Sequence, residues 1–424
     1  MTTIILVVSF LILMIIGLPI AFSMGLASLA TVLAGNFKCI VIAQKMFTGM
    51  DSITMLAIPG FILAGEIMCQ GGLAARLVNL CSTLIGHIRN GLSVVTIVVG
   101  MFFSAMNGSA PATTAAIGSL MVPEMAKEGY DKSYTAALAA IVGPLGPIIP
   151  PSIIMIVYSV GGEVSVGDLF LAGVVPGLLL GCALIVCSFW MTRHMNIRIR
   201  SRATSHQILH ELKESIWALM TPVIILGGIY GGLFTPTEAA VVAVFYSIFV
   251  GTVIHKELSW KALKQCVLKS VETSAMVMFI VGAAMSFAWL VSITKTAMRI
   301  TNGIASLTTS PIAIMIIINV VLVIVSCFMD PTAAVLIFQS VFLPLAKLAG
   351  INLLQFAAIF IVILAIGNAT PPFGYSLFVA CKIGDAPLDK ISRQVIPMLA
   401  SEVIILILIN IFPVLTVGLP TLLG

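Results

Sequence analysis

The sequence predicts an all-α polytopic membrane protein folded as two inverted-topology repeats, and three observations carry that prediction. Hydrophobic residues fill 60% of the 424 positions and charged residues only 9%, against roughly a quarter charged in an average soluble domain. Apolar stretches near the length of a bilayer crossing, about 20 residues, occupy almost the whole chain. Proline, glycine and aspartate recur at one fixed spacing between the two halves.

Taken in order, the candidate spans of the first repeat (residues 1–192) lie near 4–33, 52–69, 91–106, 134–160 and 168–192. Residues 1–33 carry no charge and outrun the apolar region of a signal peptide, so a retained first span is expected. Residues 193–216 form a basic linker, with Arg193, Arg198, Arg200, Arg202 and Lys213 against Glu211 and Glu214. The second repeat (217–424) has candidate spans near 217–233, 237–254, 271–292, 354–380 and 391–416. Between the third and fourth span of each half lies an apolar stretch, 107–126 and 311–348, that Asn, Gly, Pro and Asp interrupt too often for a plain crossing.

Basic residues follow the orientation rule for membrane loops. With the linker in the cytoplasm, Lys38, Lys45, Arg89 and the lysines of 256–269 and 382–393 fall on the same side, while loops 161–167 and 234–237 hold no Lys or Arg. Lys295, Arg299 and Lys347 run against this assignment. Five crossings per half would bring the halves into the membrane from opposite sides, with both termini in the periplasm. The net charge of +5 sits in short loops, so orientation accounts for it and no nucleic-acid partner is expected.

The repeat rests on seven pairs separated by 221 positions: Pro123 and Pro344, Gly129 and Gly350, Gly146 and Gly367, Pro150 and Pro371, Pro151 and Pro372, Asp168 and Asp389, Pro176 and Pro397. Proline is scarce enough that four coincident pairs imply duplication, and duplicated halves of opposite topology are a recurrent build of secondary transporters.

Polar chemistry collects at matched places in the two halves. Ser104-Ala-Met-Asn-Gly-Ser-Ala-Pro-Ala-Thr-Thr114 frees backbone groups that hydrocarbon cannot satisfy, which predicts a re-entrant hairpin with its tip near 104–114. Gly143-Pro-Leu-Gly-Pro-Ile-Ile-Pro-Pro-Ser152 holds four prolines, each lacking an amide donor, so the helix should unwind near 143–152. The counterparts are Asp330-Pro-Thr-Ala333, a tip near 328–334, and Gly367-Asn-Ala-Thr-Pro-Pro-Phe-Gly374, unwound near 366–374. Freed carbonyls beside Ser, Thr, Asn and Asp oxygens suit Na⁺, and half-helix N-termini suit a carboxylate. The bland alternative, prolines tolerated as packing kinks, does not account for matched pairs with clustered polar residues.

Other features exclude function classes. The eight cysteines show no CxxC and no paired His spacing, so neither a zinc site nor a disulfide framework is expected. No P-loop, HExxH, Ser-His-Asp set or paired intramembrane acids occur, which argues against an enzyme and against ATP binding through that loop. The five histidines fall in or beside loops, so Na⁺ is favoured over H⁺ as coupling ion, with no other cofactor. Glu66 and Glu238, near span ends, suit either proton carriage or helix capping. Residues 258–269 have the pattern of an interfacial amphipathic helix.

The motifs Ile58-Pro-Gly-Phe-Ile-Leu-Ala-Gly-Glu66, Asn107-Gly-Ser-Ala-Pro-Ala-Thr-Thr-Ala-Ala-Ile-Gly-Ser119, Ile149-Pro-Pro-Ser152, Phe234-Thr-Pro-Thr-Glu-Ala-Ala240 and Thr370-Pro-Pro-Phe-Gly374 together resemble the large membrane subunit of tripartite ATP-independent periplasmic (TRAP) transporters, of the dicarboxylate and sialic-acid permease type. The resemblance covers essentially the whole chain. It implies an elevator-type, Na⁺-coupled importer of a small organic acid (dicarboxylate, keto acid, sugar acid or sialic acid) in the bacterial inner membrane. Its implied partners are a small four-span membrane subunit and a soluble periplasmic substrate-binding protein. Many members carry the small subunit fused; this chain has no such extension, so a separate partner is expected. Carried over by motif, one Na⁺ site would draw on Ser104, Asn107, Gly108, Gly143 and Gly146, and the other on Asp330, Thr332, Gly367, Asn368 and Thr370. Substrate would lie between them, near Ser109, Thr113, Pro150, Pro151, Ser152, Pro371 and Pro372. The second tip has Asp330-Pro331 where many members have Asp-Thr. The competing reading is a stand-alone divalent-anion-type Na⁺/organic anion symporter that needs no binding protein.

Overall fold

Backbone groups in hydrocarbon must bond within their own segment, and the computed structural model, which describes residues 2–423, answers with helices throughout those residues. The first half runs α1 (Thr2–Ile15), α2 (Ile20–Ala34), α3 (Ile40–Met50), α4 (Ala57–Gln70), α5 (Leu73–Ile85), α6 (Gly91–Asn107), α7 (Ala110–Lys127), α8 (Lys132–Val142), α9 (Leu145–Ile148), α10 (Ile153–Gly161) and α11 (Val166–Thr192). The second runs α12 (Ser205–Tyr230), α13 (Pro236–Phe249), α14 (Trp260–Ile293), α15 (Thr296–Leu307), α16 (Pro311–Ser326), α17 (Pro331–Leu348), α18 (Leu353–Gly367), α19 (Tyr375–Gly384), α20 (Leu388–Ile411) and α21 (Val414–Leu423). By length and composition seven helices can cross a membrane, or eight if the bent pair Lys132–Ile148 and Ile153–Gly161 is one span.

The offset found in the prolines extends to the helices. Shifting α7 by 221 residues lands on the bounds of α17, and the same shift carries α6, α8, α10 and α11 onto α16, α18, α19 and α20 to within four residues. α14 departs in kind, a single 34-residue helix where the first half has α3, a short 3₁₀ turn (Ile53–Leu56) and α4. The cause is local. Asp51-Ser52, whose side chains compete for backbone bonds outside a helix, stand where the second half has Glu272-Thr273.

Three expectations change. The span expected over 4–33 is two helices, because Gly17, at φ +89°, takes a turn that only glycine enters freely, and Pro19 then precedes α2. That extra turn removes the crossing count behind the placement of both termini. Residues 258–269 begin α14, with Ser259 as its N-cap, rather than forming a separate surface helix. The basic linker of 193–216 has its second part inside α12, which starts at Ser205 behind a capping box of Thr204 and Gln207.

Each half then builds one hairpin and one broken helix. α6 and α7 meet at Gly108, φ +64°, and α16 and α17 meet over residues 327–330. The first broken helix bends by 40° between Lys132–Ile148 and Ile153–Gly161. Its unwound part is smaller than the expected 143–152, since α9 keeps one helical turn between two short breaks. The second breaks over 368–374, and both Pro-Pro bonds, Pro150-Pro151 and Pro371-Pro372, are cis. The limb after each break packs on the opposite repeat's hairpin, α10 against α17 and α19 against α7.

Polar clamps tie the outer limb of each hairpin to its neighbours. In the first half Asn90 Nδ2 donates to Ser188 Oγ at 2.8 Å and Tyr134 OH to Ser93 Oγ at 3.0 Å, joining α6, α8 and α11. In the second, Asn319 Nδ2 donates to Asn410 Oδ1 at 2.7 Å, and Gln355 Nε2 to the Ile409 carbonyl at 3.2 Å, joining α16, α18 and α20. Gln355 stands 221 residues after Tyr134, so the clamp recurs with different chemistry.

Segment 193–204 straps the base of the first hairpin. Arg200 Nη2 lies 3.0 Å from Glu124 Oε2 and its Nε 3.0 Å from Glu128 Oε1. The Arg198 amide adds a bond to the Glu128 carbonyl at 3.0 Å. These pairs are partly exposed, so Arg200→Ala should cost about 1 kcal/mol or less, read as a small drop in the thermal midpoint with uptake retained.

Candidate functional site

Where the chain leaves α6, the carbonyls of its last turn and the amides opening α7 lose helical partners. Asn107 supplies one replacement: its Oδ1 accepts from the Ser109 amide at 2.7 Å and from Thr113 Oγ1 at 3.4 Å. The tip is packed against the first break. A β-carbon on Gly108 would lie 2.6 Å from the Pro151 carbonyl oxygen, and one on Gly146 would lie 2.8 Å from the Ser109 carbonyl oxygen and 3.0 Å from Thr113 Oγ1. Asn107, Gly108, Ser109, Thr113, Gly143, Gly146, Pro151 and Ser152 therefore gather along one tip-and-break seam, with Pro150 buried beside them and Ser104 in the last turn of α6.

Gly143 is the centre of this seam. A β-carbon there would be 2.8 Å from the Ala110 carbonyl oxygen, 3.0 Å from Ser376 Oγ and against Thr114 Oγ1. Ser104, Thr114 and Ser376 are each fully buried, and their hydroxyl oxygens have no hydrogen-bond partner among the described residues. Leaving a buried hydroxyl unpaired costs about 1–3 kcal/mol, and two of the three, Thr114 and Ser376, converge on Gly143. Ser376 comes from α19 of the second repeat. Sequence reading passed over Thr114, which lies inside the quoted motif, and Ser376, two residues beyond Gly374.

Two helix starts converge there. α7 opens on Ser109 and α19 on Gly374, neither with a side-chain cap, so both present the positive end of a helix dipole, with the Ser376 and Leu377 amides of α19 bonded to the Asn368 and Gly374 carbonyls. Ser152, by contrast, is committed: its Oγ donates to the Pro147 carbonyl at 2.6 Å and accepts from the Met155 amide at 3.3 Å, which makes it the cap of α10.

The second tip is more open. Asp330 Oδ1 caps α17, accepting from the Thr332 amide at 2.9 Å and the Ala333 amide at 3.4 Å, with the residue exposed. Tip meets break through Ser326, which a β-carbon on Gly367 would strike, 2.7 Å from its carbonyl oxygen. Phe328 and Phe373 add a ring contact with centroids 5.4 Å apart. Asn368 is buried and its carbonyl accepts from the Ser376 amide at 2.9 Å, while Thr370 Oγ1 donates to the Ile366 carbonyl at 3.0 Å. Pro372 is exposed and Pro371 partly so, unlike the buried Pro150 and Pro151.

The two other candidate acids have structural partners. Glu238 accepts from the Thr235 amide and hydroxyl at 2.8 Å in a capping box. Glu66 pairs with Lys269 of α14 at 2.8 Å. The motifs themselves interlock: a β-carbon on Gly60 would sit 2.8 Å from Ala240 Cβ, and one on Gly65 would sit 2.8 Å from Asn107 Cβ. Thr237 Oγ1 also donates to the Ile53 carbonyl at 2.9 Å.

The family model of the tripartite ATP-independent periplasmic transporter DctM component matches residues 7–415. The chain is 42% identical over 405 residues to the isethionate TRAP transporter permease protein DctMQ of Oleidesulfovibrio alaskensis, covering 94% of this chain and 63% of that longer protein. It is 38% identical to the C4-dicarboxylate TRAP transporter large permease protein DctM of Pseudomonas aeruginosa, over 95% of this chain and 94% of that one. In fold it is similar to the crystal structure of the Alcanivorax borkumensis YdaH transporter, with a TM-score of 0.65 at 14% identity over 91% of this chain and 88% of that one.

Proposed function

The chain belongs to the DctM component family of TRAP transporters, and from that premise we propose that it is the large permease of a Na⁺-coupled importer of a small organic acid. It is a transport protein, not an enzyme, and a multi-pass membrane protein. The observation that carries the coupling is the pair of buried, unpartnered hydroxyls of Thr114 and Ser376 that meet at Gly143. Oxygen-only ligands suit a hard cation, and a cation bound there would satisfy both. Because Ser376 belongs to the second repeat, binding would also tie the two breaks together.

One cation site then uses Ser104, Asn107, Gly108, Gly143 and Gly146, joined by Thr114 and Ser376. The other uses Asp330, Thr332, Gly367, Asn368 and Thr370. The uncapped starts of α7 and α19 supply positive potential for a substrate carboxylate, flanked by Ser109, Thr113, Pro150, Pro151, Pro371 and Pro372. Ser152 serves this region as the cap that holds α10. Hairpins and broken helices pack as one body across the repeats, which suits elevator-type movement of a preformed site. A small membrane subunit and a periplasmic binding protein complete the assembly in the bacterial inner membrane. Relatives named for isethionate and for C4-dicarboxylates support small organic anions as the substrate class, with keto acids, sugar acids and sialic acids inside it.

Uptake by the assembled transporter in proteoliposomes tests this reading. Na⁺ should stimulate it, and Asn107→Ala and Asn368→Ala should each lower initial uptake at limiting Na⁺ by about tenfold, the effect of about 1.4 kcal/mol. Wild-type rates and Na⁺ dependence in both variants would refute the site assignment. Uptake by this chain alone, with neither partner present, would favour a stand-alone symporter.

A further inference from the structure

Of the 16 acidic residues, Glu402 is the one that is fully buried, at 0% exposure. It lies in the apolar body of α20, and neither Oε1 nor Oε2 has a hydrogen-bond partner among the described residues. The other intramembrane acids discussed above cap a helix or pair with a lysine. α20 packs against α8, α11, α18, α19 and α21. From α11, Cys187 lies beside Ser401 and Glu402. From α8 come Tyr134, whose hydroxyl is already given to Ser93, and Lys132, which is exposed at the helix start. α18 and α21 carry no titratable side chain, and α19 carries Cys381 and the exposed Tyr375 and Lys382. On α20 itself the closest cation in sequence is Arg393, nine residues earlier, about 13 Å along the axis.

No positive group therefore neutralises this carboxylate, and an unpaired charge in such surroundings costs several kcal/mol. Only the neutral acid fits the packing. We propose that Glu402 is a proton-binding site separate from the oxygen cluster around Gly143, protonated while the seam between α8, α11 and α20 is dry and giving its proton to water when that seam is hydrated. Such a site binds H⁺ differently in two conformations, so by linkage pH shifts their balance. Acid pH favours the dry seam; alkaline pH favours the hydrated one. This goes beyond Na⁺ coupling and does not depend on it.

The test uses the assembled transporter in proteoliposomes at saturating Na⁺, with equal pH on both sides, from about pH 6 to about pH 9. Wild-type uptake should vary by about fivefold or more, the lower end of usual coupling between linked sites, and Glu402→Gln, which mimics the neutral acid, should flatten that profile. A Glu402→Gln profile matching wild type would overturn the proposal. Independently of transport and of the variant's folding, a lipid-soluble carbodiimide, which reacts with protonated carboxyls, should modify Glu402 in the wild-type complex at acid pH and less as pH rises, read by peptide mass spectrometry. Labelling that does not change with pH, or none at any pH, would overturn it as well. A complex with no Na⁺ dependence that keeps the pH-dependent labelling would sink the cation site and support the proton site.

Discussion

Gly143→Ala is expected to reduce Na⁺-driven uptake by the assembled transporter to background. The added methyl would meet the Ala110 carbonyl oxygen at 2.8 Å, Ser376 Oγ at 3.0 Å, and Thr114 Oγ1. The carbonyl belongs to the first turn of α7 and cannot retreat without moving the hairpin tip, and the two hydroxyls are the unpartnered ones. Overpacking a buried site typically costs about 1–3 kcal/mol, which lowers the thermal midpoint without unfolding the protein. The functional loss should be larger, because the methyl occupies the space in which the oxygens converge. Gly25→Ala and Gly227→Ala are the controls, since a β-carbon at either meets nothing within 4 Å; there the helix should gain about 0.5–1 kcal/mol and uptake should be unchanged. A Gly143→Ala protein that transports like these controls would remove the cluster from the mechanism.

What the residues reveal in advance depends on how local the signal is. The hairpins and breaks were legible because Asn-Gly-Ser and Pro-Pro steps inside apolar runs have few structural uses, and the spacing of 221 repeats them. Helices α3, α5 and α15, of 11 to 13 residues, fall below the span criterion and have polar faces, so hydropathy passes over them. The turn at Gly17 is hidden by uniformly apolar neighbours. Glu402 was visible as an acid within an apolar span, yet a lone acid is lost when acids are sought in pairs or near span ends. That Ser376 returns to Gly143 is a tertiary fact: it requires α19 to fold back on α7, which no spacing within either motif encodes.

At the second tip, Asp330 serves as a helix cap whatever else it does, so its two roles must be separated. Asp330→Asn keeps an oxygen able to accept from the Thr332 and Ala333 amides, and Asn and Asp cap about equally well; the protein should therefore fold with a near wild-type midpoint. What it loses is the charge. Interactions with a charged partner are worth about 1.5–3 kcal/mol, so the Na⁺ concentration for half-maximal uptake should rise roughly 10- to 100-fold. Asp330→Ala loses charge and cap together, adding about 1 kcal/mol of lost stability. Na⁺ titrations of initial uptake, read beside thermal midpoints, resolve the two. If Asp330→Asn keeps wild-type Na⁺ dependence and only Asp330→Ala is impaired, the carboxylate holds α17 in place and the second cation must find its ligands elsewhere, at Gly367, Asn368 and Thr370 without a formal charge. If both variants lose Na⁺ dependence while only the alanine loses stability, one oxygen orders the tip and the other faces the ion, and the hairpin cannot be capped correctly without also presenting a cation ligand.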